Sequence, residues 1–471
     1  MTRTLKLLAR VGIGGYLLLV PLAFVWVRGP SGHDAARMLQ VLLMAMCTVA
    51  AAWPGANGPT LLPRTPLWRG VGLLALLLAG LSVAHAAVPG WAMREVALWL
   101  GMLVVAMTVA QDSGAWRWLG WAAVLGTLIY NVVALGLGLS GMLQGFPARG
   151  EELALGYNNH RFLNHAQTVA LPLVAMMAGR PGDLRCGRAL IGVSLVSGVA
   201  LLMAVGGRAT ALALVLGSVA ALLAAPKAGW RATRWLGAAA VAGGLLYALE
   251  FVLLPEWLGL PSGDLSRRVG QVDSVHARLF LWRTALGQVF ESPWWGLGPM
   301  HFAYRPNGEA AHPHNIYLQI AAEWGVPMLL LLVAAVGMAL AALMRRLRNL
   351  GVGADAQMGA ALLVALVAAL VDGGASGNFV MPVSQVWIAV AAGLAWRWWL
   401  DQLPPQAGAG VRNSRGWTDA ALSVGAALLS AWLLLVSARD VPRLAELGKA
   451  SEALSPASPR QNPRFWSSGW F

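Results

Sequence analysis

Residues 69–88 read RGVGLLALLLAGLSVAHAAV, twenty positions with a single formal charge, Arg69, at the start. The hydrocarbon core of a bilayer takes about 20 apolar residues of α-helix. It offers no water to satisfy an open strand or an irregular loop. The stretch therefore predicts a membrane-spanning helix, and the rest of the chain repeats it. Apolar runs fall at 11–27, 37–53, 94–110 and 117–140 around it. More follow at 164–179, 188–205, 209–225, 234–254, 316–344, 357–371, 380–400 and 419–437. The expected fold is all-α: a polytopic helical membrane protein of about 12–13 transmembrane helices, depending on whether one short run is re-entrant, with a mainly helical cap.

Composition agrees with that reading. Only 11% of the residues are charged, where a soluble domain would carry roughly 25%. The net charge of +14 and pI near 11.0 raise the question of nucleic acid. The basic stretches are short and sit between apolar runs, at 179–188, 227–234 and 345–349. That is the positive-inside pattern of a membrane protein, so no nucleic-acid partner is expected. The 23 tryptophans, many near run ends, fit an interfacial belt. Cys47 and Cys186 lie far from any histidine cluster, which argues against a disulfide framework or a zinc site. The first run follows Arg3, Lys6 and Arg10, lacks a small-residue cleavage site, and reads as a first span with its start inside.

This count divides the chain into N-terminal spans (1–254, with an outer loop at 141–163), a long outer loop (255–315), C-terminal spans (316–437) and a polar tail (438–471). Thirteen spans would put the tail outside, while Arg439, Arg443, Lys449, Arg460 and Arg464 argue for inside. The side of the tail stays open at this point. In the long loop, residues 273–290 (DSVHARLFLWRTALGQVF) space Val275, Leu279, Trp282, Leu286 and Val289 three to four apart, which predicts an amphipathic helix. Pro293–Pro299 (PWWGLGP) follows as a rigid turn, its two indoles at the membrane surface. The loop closes on His312-Pro313-His314-Asn315. Proline suits a first helical position, so a helix starting at Pro313 would place His312 at the cap and His314 in the first turn. There the positive end of the helix dipole would hold the imidazole neutral.

Ionisable groups at membrane depth are costly and mark functional sites. Arg208 stands between two short runs, behind Gly206 and Gly207, which would let a ligand approach closely. Arg267, Arg268, Arg278 and Arg283 lie in the long loop, with Arg278 and Trp282 on one helix face. Arg161, Asn164 and His165 open the sixth run. The topology puts all of these on the side of His314. Guanidinium forks suit phosphate oxygens, and a neutral imidazole suits a hydroxyl that must lose its proton. The implied substrate is an anionic lipid-linked phosphate, and the implied reaction moves a group onto an alcohol. A metal site is not expected, because His312 and His314 are two apart on a helix start and Glu309 is the nearest carboxylate.

Four stretches carry a resemblance: RFLNHAQTVALPL (161–173), GGRATALAL (206–214), HARLFLWRTALGQVFESPWWGLGPMHF (276–302) and HPHNIYLQIAAEWGVPM (312–328). Together they resemble the O-antigen ligase family, within the larger group that includes O-antigen polymerases and bacterial protein O-oligosaccharyltransferases. The resemblance implies a GT-C-like glycosyltransferase in the inner membrane of a Gram-negative bacterium, its active site on the periplasmic face. The implied donor is O-antigen polysaccharide on undecaprenyl pyrophosphate, the acceptor lipid A–core oligosaccharide, and the transfer inverting, metal-independent and free of any cofactor. It maps the general base onto His314 and the essential arginines onto Arg208 and Arg278. Arg161, His312, Asn315, Trp282, Arg267 and Arg268 are candidates for holding substrate. Relatives often have a Ser-Arg-Gly-like turn where this chain has Gly-Gly-Arg-Ala. The alternatives are a polymerase, a protein O-oligosaccharyltransferase, and a transporter or flippase of lipid-linked saccharide. The short tail speaks against the second. The gathering of ionisable groups at one face speaks against the third, since transporters place theirs near the midplane.

Overall fold

The computed structural model describes residues 2–27, 29–52, 65–147, 149–150, 152–180, 186–261, 273–403, 417–456 and 462–471. Regular structure among them is helical. The N-terminal helices are α1 (Thr2–Leu19), α2 (Gly32–Ala52), α3 (Pro66–His85), α4 (Pro89–Ala110), α5 (Ala115–Leu143), α6 (His160–Met177), α7 (Gly187–Ala204), α8 (Arg208–Ala224) and α9 (Pro226–Ala248). A π turn at Leu249–Leu253 and a last α turn carry α9 on to Trp257. The cap holds α10 (Asp273–Glu291) and α11 (Ile316–Trp324), followed by α12 (Val326–Asn349), α13 (Ala354–Gly373), α14 (Pro382–Asp401), α15 (Trp417–Asp440) and α16 (Leu444–Leu454).

Among the described residues, nine helices are long and apolar enough to cross a bilayer. The chain is an all-α polytopic membrane protein. Helix α6 is not one of the nine, and its surroundings explain why. Every residue from Phe162 to Met177 is buried, against α5, α7, α8 and α13. A helix enclosed by protein can carry Asn164, His165, Gln167 and Thr168, whereas a lipid-facing one cannot. Helices in a bilayer gain little from apolar burial against each other and associate through close packing at small residues. At the α8–α13 contact a Cβ on Gly217 would stand 2.6 Å from the carbonyl oxygen of Val364.

The two ends of the bundle differ in character. At one end Arg180 pairs with Asp355 at 2.5 Å, and Arg10 with Asp112 at 2.7 Å. The basic stretches gather at this end but are mostly not links. KAGWRATR forms the first turns of α9, and RRLRN the last turn of α12. Cations at a helix C-terminus meet the negative end of the dipole, so the second placement is favourable.

The run 316–344, read as one span, is two helices. It breaks at Gly325, whose φ of +87° belongs to the left-handed region. The carbonyls left over at the end of α11 are met by the Pro293–Pro299 turn. Leu297 N–H donates to Ala322 O (2.9 Å), Gly298 N–H to Glu323 O (2.9 Å), and Val326 N–H closes onto Pro293 O (2.8 Å). That turn is a helix cap as well as an indole carrier.

Helix α10 forms where its periodicity predicts, but its buried face is rotated to one side of the predicted stripe and shares only Trp282 and Val289 with it. Leu281, Ala285 and Gln288 are buried, with Trp282 and Arg278 half-buried beside them. The expected core positions Val275, Leu279 and Leu286 are exposed. Both faces carry apolar residues, so spacing alone could not choose between them. The tail, finally, lies at the end of the bundle that holds His314. Arg464 pairs there with Glu323 at 2.5 Å and Glu95 at 3.3 Å. Its charge is neutralised in place by these two carboxylates.

A candidate active site at one end of the bundle

The histidine loop begins one turn later as helix than its sequence suggests. Helix α11 starts at Ile316, with Asn315 at the cap; the Asn315 side-chain oxygen accepts from the N–H groups of Tyr317 (3.0 Å) and Leu318 (3.1 Å). Asparagine is a better cap than histidine, because its short side chain reaches the second and third amides. His314 therefore stands before the helix, with φ +51°. That conformation is uncommon for a residue with a Cβ. Its backbone N–H lies 3.3 Å from Nδ1 of His312, and the two rings meet edge-on with centroids 4.1 Å apart. An accepting Nδ1 implies that His312 carries its proton on Nε2. The indole N–H of Trp282 donates to Pro313 O at 3.1 Å and ties the loop to α10.

His314 is neutral, as expected, but the helix dipole is not the reason. Burial, followed by the charges of Arg161, Arg278 and His165, pushes its pKa down to about 3. Those three groups come from α6 and α10, so the loop, the sixth helix and the cap converge on one place. Burial also holds His312 well below the ordinary range, aided by the field of His314.

Arg278 extends the cluster. Burial and the neighbouring charge of Arg208 lower its pKa, while the carboxylate of Asp372 opposes them. Arg208 is the first residue of α8 and is exposed. Gly206 ends α7 with φ +74°. A Cβ on Gly207 would stand 3.0 Å from the Asn164 side chain and run into Leu202. The glycines thus seat the start of α8 against α6 and do not open a path for a ligand. The seat is fastened by Thr210, whose hydroxyl lies 3.0 Å from that of Thr168 and 3.1 Å from Asn164 O. Arg161, exposed in the first turn of α6, is held by its backbone N–H on the Asn159 cap at 2.9 Å. Arg283 is exposed further along α10. Arg267 and Arg268 lie outside the described residues.

Beside the arginines is a buried polar cluster in which the sequence reading names Asn164 and His165 but not Asp372. Asp372, at the end of α13, lies 3.4 Å from His165 Nδ1 and accepts from Ser376 Oγ at 2.8 Å and Thr168 Oγ1 at 3.4 Å. Asp372 Oδ1, His165 Nδ1 and Asn164 Oδ1 are buried and make no hydrogen bond within the protein. Buried polar atoms are nearly always paired, so such a group marks a place for water or a ligand. A signal existed: Asp372 is an acid at the end of an apolar run. No histidine or arginine stands in the short connection between α13 and α14 to draw attention to it.

Guanidinium groups and a neutral imidazole thus act on one another at this end of the bundle, a combination of charge that suits an anion. No curated protein matched the chain. A family model described as O-antigen ligase matches residues 193–333, a stretch that holds Arg208, Arg278, His312, His314 and Asn315 and leaves out Arg161, His165 and Asp372. Over residues 193–333, less than a third of its length, the chain is similar to the O-antigen ligase family.

Proposed function

We propose that the protein is an O-antigen ligase, transferring O-antigen polysaccharide from undecaprenyl pyrophosphate to a sugar hydroxyl of lipid A–core on the periplasmic face of a Gram-negative inner membrane. One observation carries the reading: His314 lies in the fields of Arg161 and Arg278, and Arg278 in those of Arg208 and Asp372, although the five come from separate elements. The pyrophosphate rests against Arg208 and Arg278, with Arg161 beside it. The polyprenyl tail lies among the spans. His314 takes the proton of the acceptor hydroxyl as its oxygen attacks the anomeric carbon from the face opposite the pyrophosphate. The carbon–oxygen bond to the pyrophosphate breaks, the carrier lipid leaves with both electrons, and the configuration inverts. A pyrophosphate needs little acid help to leave, so stabilising its developing charge is the larger task, and guanidinium groups perform it. The carboxylate of Asp372 favours the charged form of Arg278.

The basic ends of α9 and α12 lie opposite the site, which supports a site on the outer face. The test is purified protein with lipid-linked polysaccharide and lipid A–core in EDTA, followed by gel mobility. Transfer to lipid A–core without added metal is expected. A divalent-ion requirement would overturn the arginine mechanism. Polysaccharide that only lengthens on its carrier would make the protein a polymerase.

A further inference from the structure

Residues 462–471 thread between the bundle and the histidine loop. On the bundle side Arg37 donates to Phe465 O at 3.0 Å and Arg464 O at 3.2 Å. Asp34 accepts from the N–H and the hydroxyl of Ser467, both at 2.6 Å. On the loop side Arg464 meets one oxygen of Glu323 at 2.5 Å, while the other accepts the N–H of Phe302 at 3.0 Å. Trp470 packs on Ala303 and Ala311, the residue before His312. Phe471 stacks on Trp91 (4.6 Å between centroids) and meets His301 edge-on (5.7 Å). The segment therefore touches the polar loop at 301–304 and at 311, and α11 at Glu323, and ties all three to α2.

The Arg464–Glu323 pair is at most 1% exposed on either side. A buried ion pair adds little stability over apolar residues of the same volume, because both ions must be desolvated. Its best-attested use is to specify a register. Here the register is that of the loop over the arginines. The path is short: Trp470 on Ala311, Ala311 next to His312, and His312 Nδ1 on the N–H of His314.

We propose that residues 462–471 are a strap that sets the position of the His312–His314 loop over Arg208 and Arg278, with Arg464 as its positioning residue. Only the kinetic half of the test rests on the glycosyl-transfer reading. The variants are a deletion of 462–471, Arg464→Gln, Arg464→Lys and Gly469→Ala, whose new Cβ would stand 2.6 Å from that of Ala311 and closer still to Asn462 O. Hydrogen exchange is expected to rise about tenfold or more at residues 296–318 in the deletion and in Gly469→Ala, with α6 and α13 unchanged. The kcat for transfer should fall about tenfold or more with the donor KM unchanged, since the arginines stay in place, and Arg464→Lys should recover part of what Arg464→Gln loses. Unchanged exchange at 296–318 overturns the strap, as does a loosened loop with undiminished kcat. If the deletion also loosens α6 and α13, Gly469→Ala decides in the same two ways. A loosened loop in a protein whose wild type transfers no glycan would count against the ligase reading and leave the strap standing.

Discussion

Gly377 lies in the short connection from α13 to α14, with its backbone outside the left-handed region, so alanine is allowed there by conformation. It is not allowed by space. A Cβ at 377 would lie 2.6 Å from Cε1 of His312 and 3.1 Å from its Nε2. Carbon atoms in contact prefer about 3.5–4.0 Å, so the imidazole must retreat by about 1 Å. His312 is 3% exposed, and its Nδ1 accepts the backbone N–H of His314 at 3.3 Å, so the retreat passes to the residue proposed as base. A misplacement of about 1 Å near reacting groups costs on the order of 10²-fold in rate, or about 2.7 kcal/mol of barrier. Gly377→Ala should therefore lower kcat about a hundredfold, measured as single-turnover transfer from lipid-linked polysaccharide to lipid A–core on gels, with donor KM little changed. Gly374→Ala is the matched control, because its Cβ would meet nothing nearer than Val371 O at 3.3 Å and Tyr317 at 3.6 Å. A Gly377→Ala protein with wild-type kcat would refute the argument. So would an equal loss in Gly374→Ala.

Three further outcomes follow from the site. His314→Ala should cut transfer by about 10²–10⁴-fold, checked by the same gel assay, while the variant elutes as a single species and keeps its helical circular dichroism. Arg278→Lys should fail to restore the activity lost in Arg278→Ala, since an ammonium offers a point charge where the guanidinium offers a fork; titration with lipid-linked donor would show the weakened binding. With the pKa of His314 near 3, the imidazole is already neutral well below its ordinary range. The base form then persists as pH falls, and kcat/KM should show no acid limb near about 6.5, the ordinary histidine value; an inflection there would assign the base to another group.

Much of this was legible in the sequence because bilayers impose simple rules. Run length marks most of the helices of the bundle, and the 3–4 spacing marks α10. The neutral state of His314 was also expected, yet for a cause that the structure replaces: Pro313 looked like a helix start, while Asn315, two residues on, is the better cap. The inward face of α10 was illegible because apolar residues line both sides of it. Gly325 stands in an apolar run that reads straight through, and only its left-handed φ shows the break. Asp372 could be suspected from its acidity, but its partner His165 is 207 positions earlier, joined to it by the antiparallel pairing of α6 and α13. Chain order does not state such pairings. The side of the tail depended on a contact of the same kind, between Arg464 and Glu323.

Helix α10 carries apolar residues beyond those its own core can cover. Helix α10 keeps Leu281 and Ala285 inward and leaves Val275, Leu279, Leu286 and Phe290 uncovered, and it also carries Arg278. An uncovered apolar stripe of this kind beside a membrane rests in the headgroup layer. The solubilising medium then becomes a variable of the enzymology: a detergent that displaces this helix would move a guanidinium as surely as a mutation. Turnover in nanodiscs should exceed turnover in small-headgroup micelles, with the deficit restored on reconstitution.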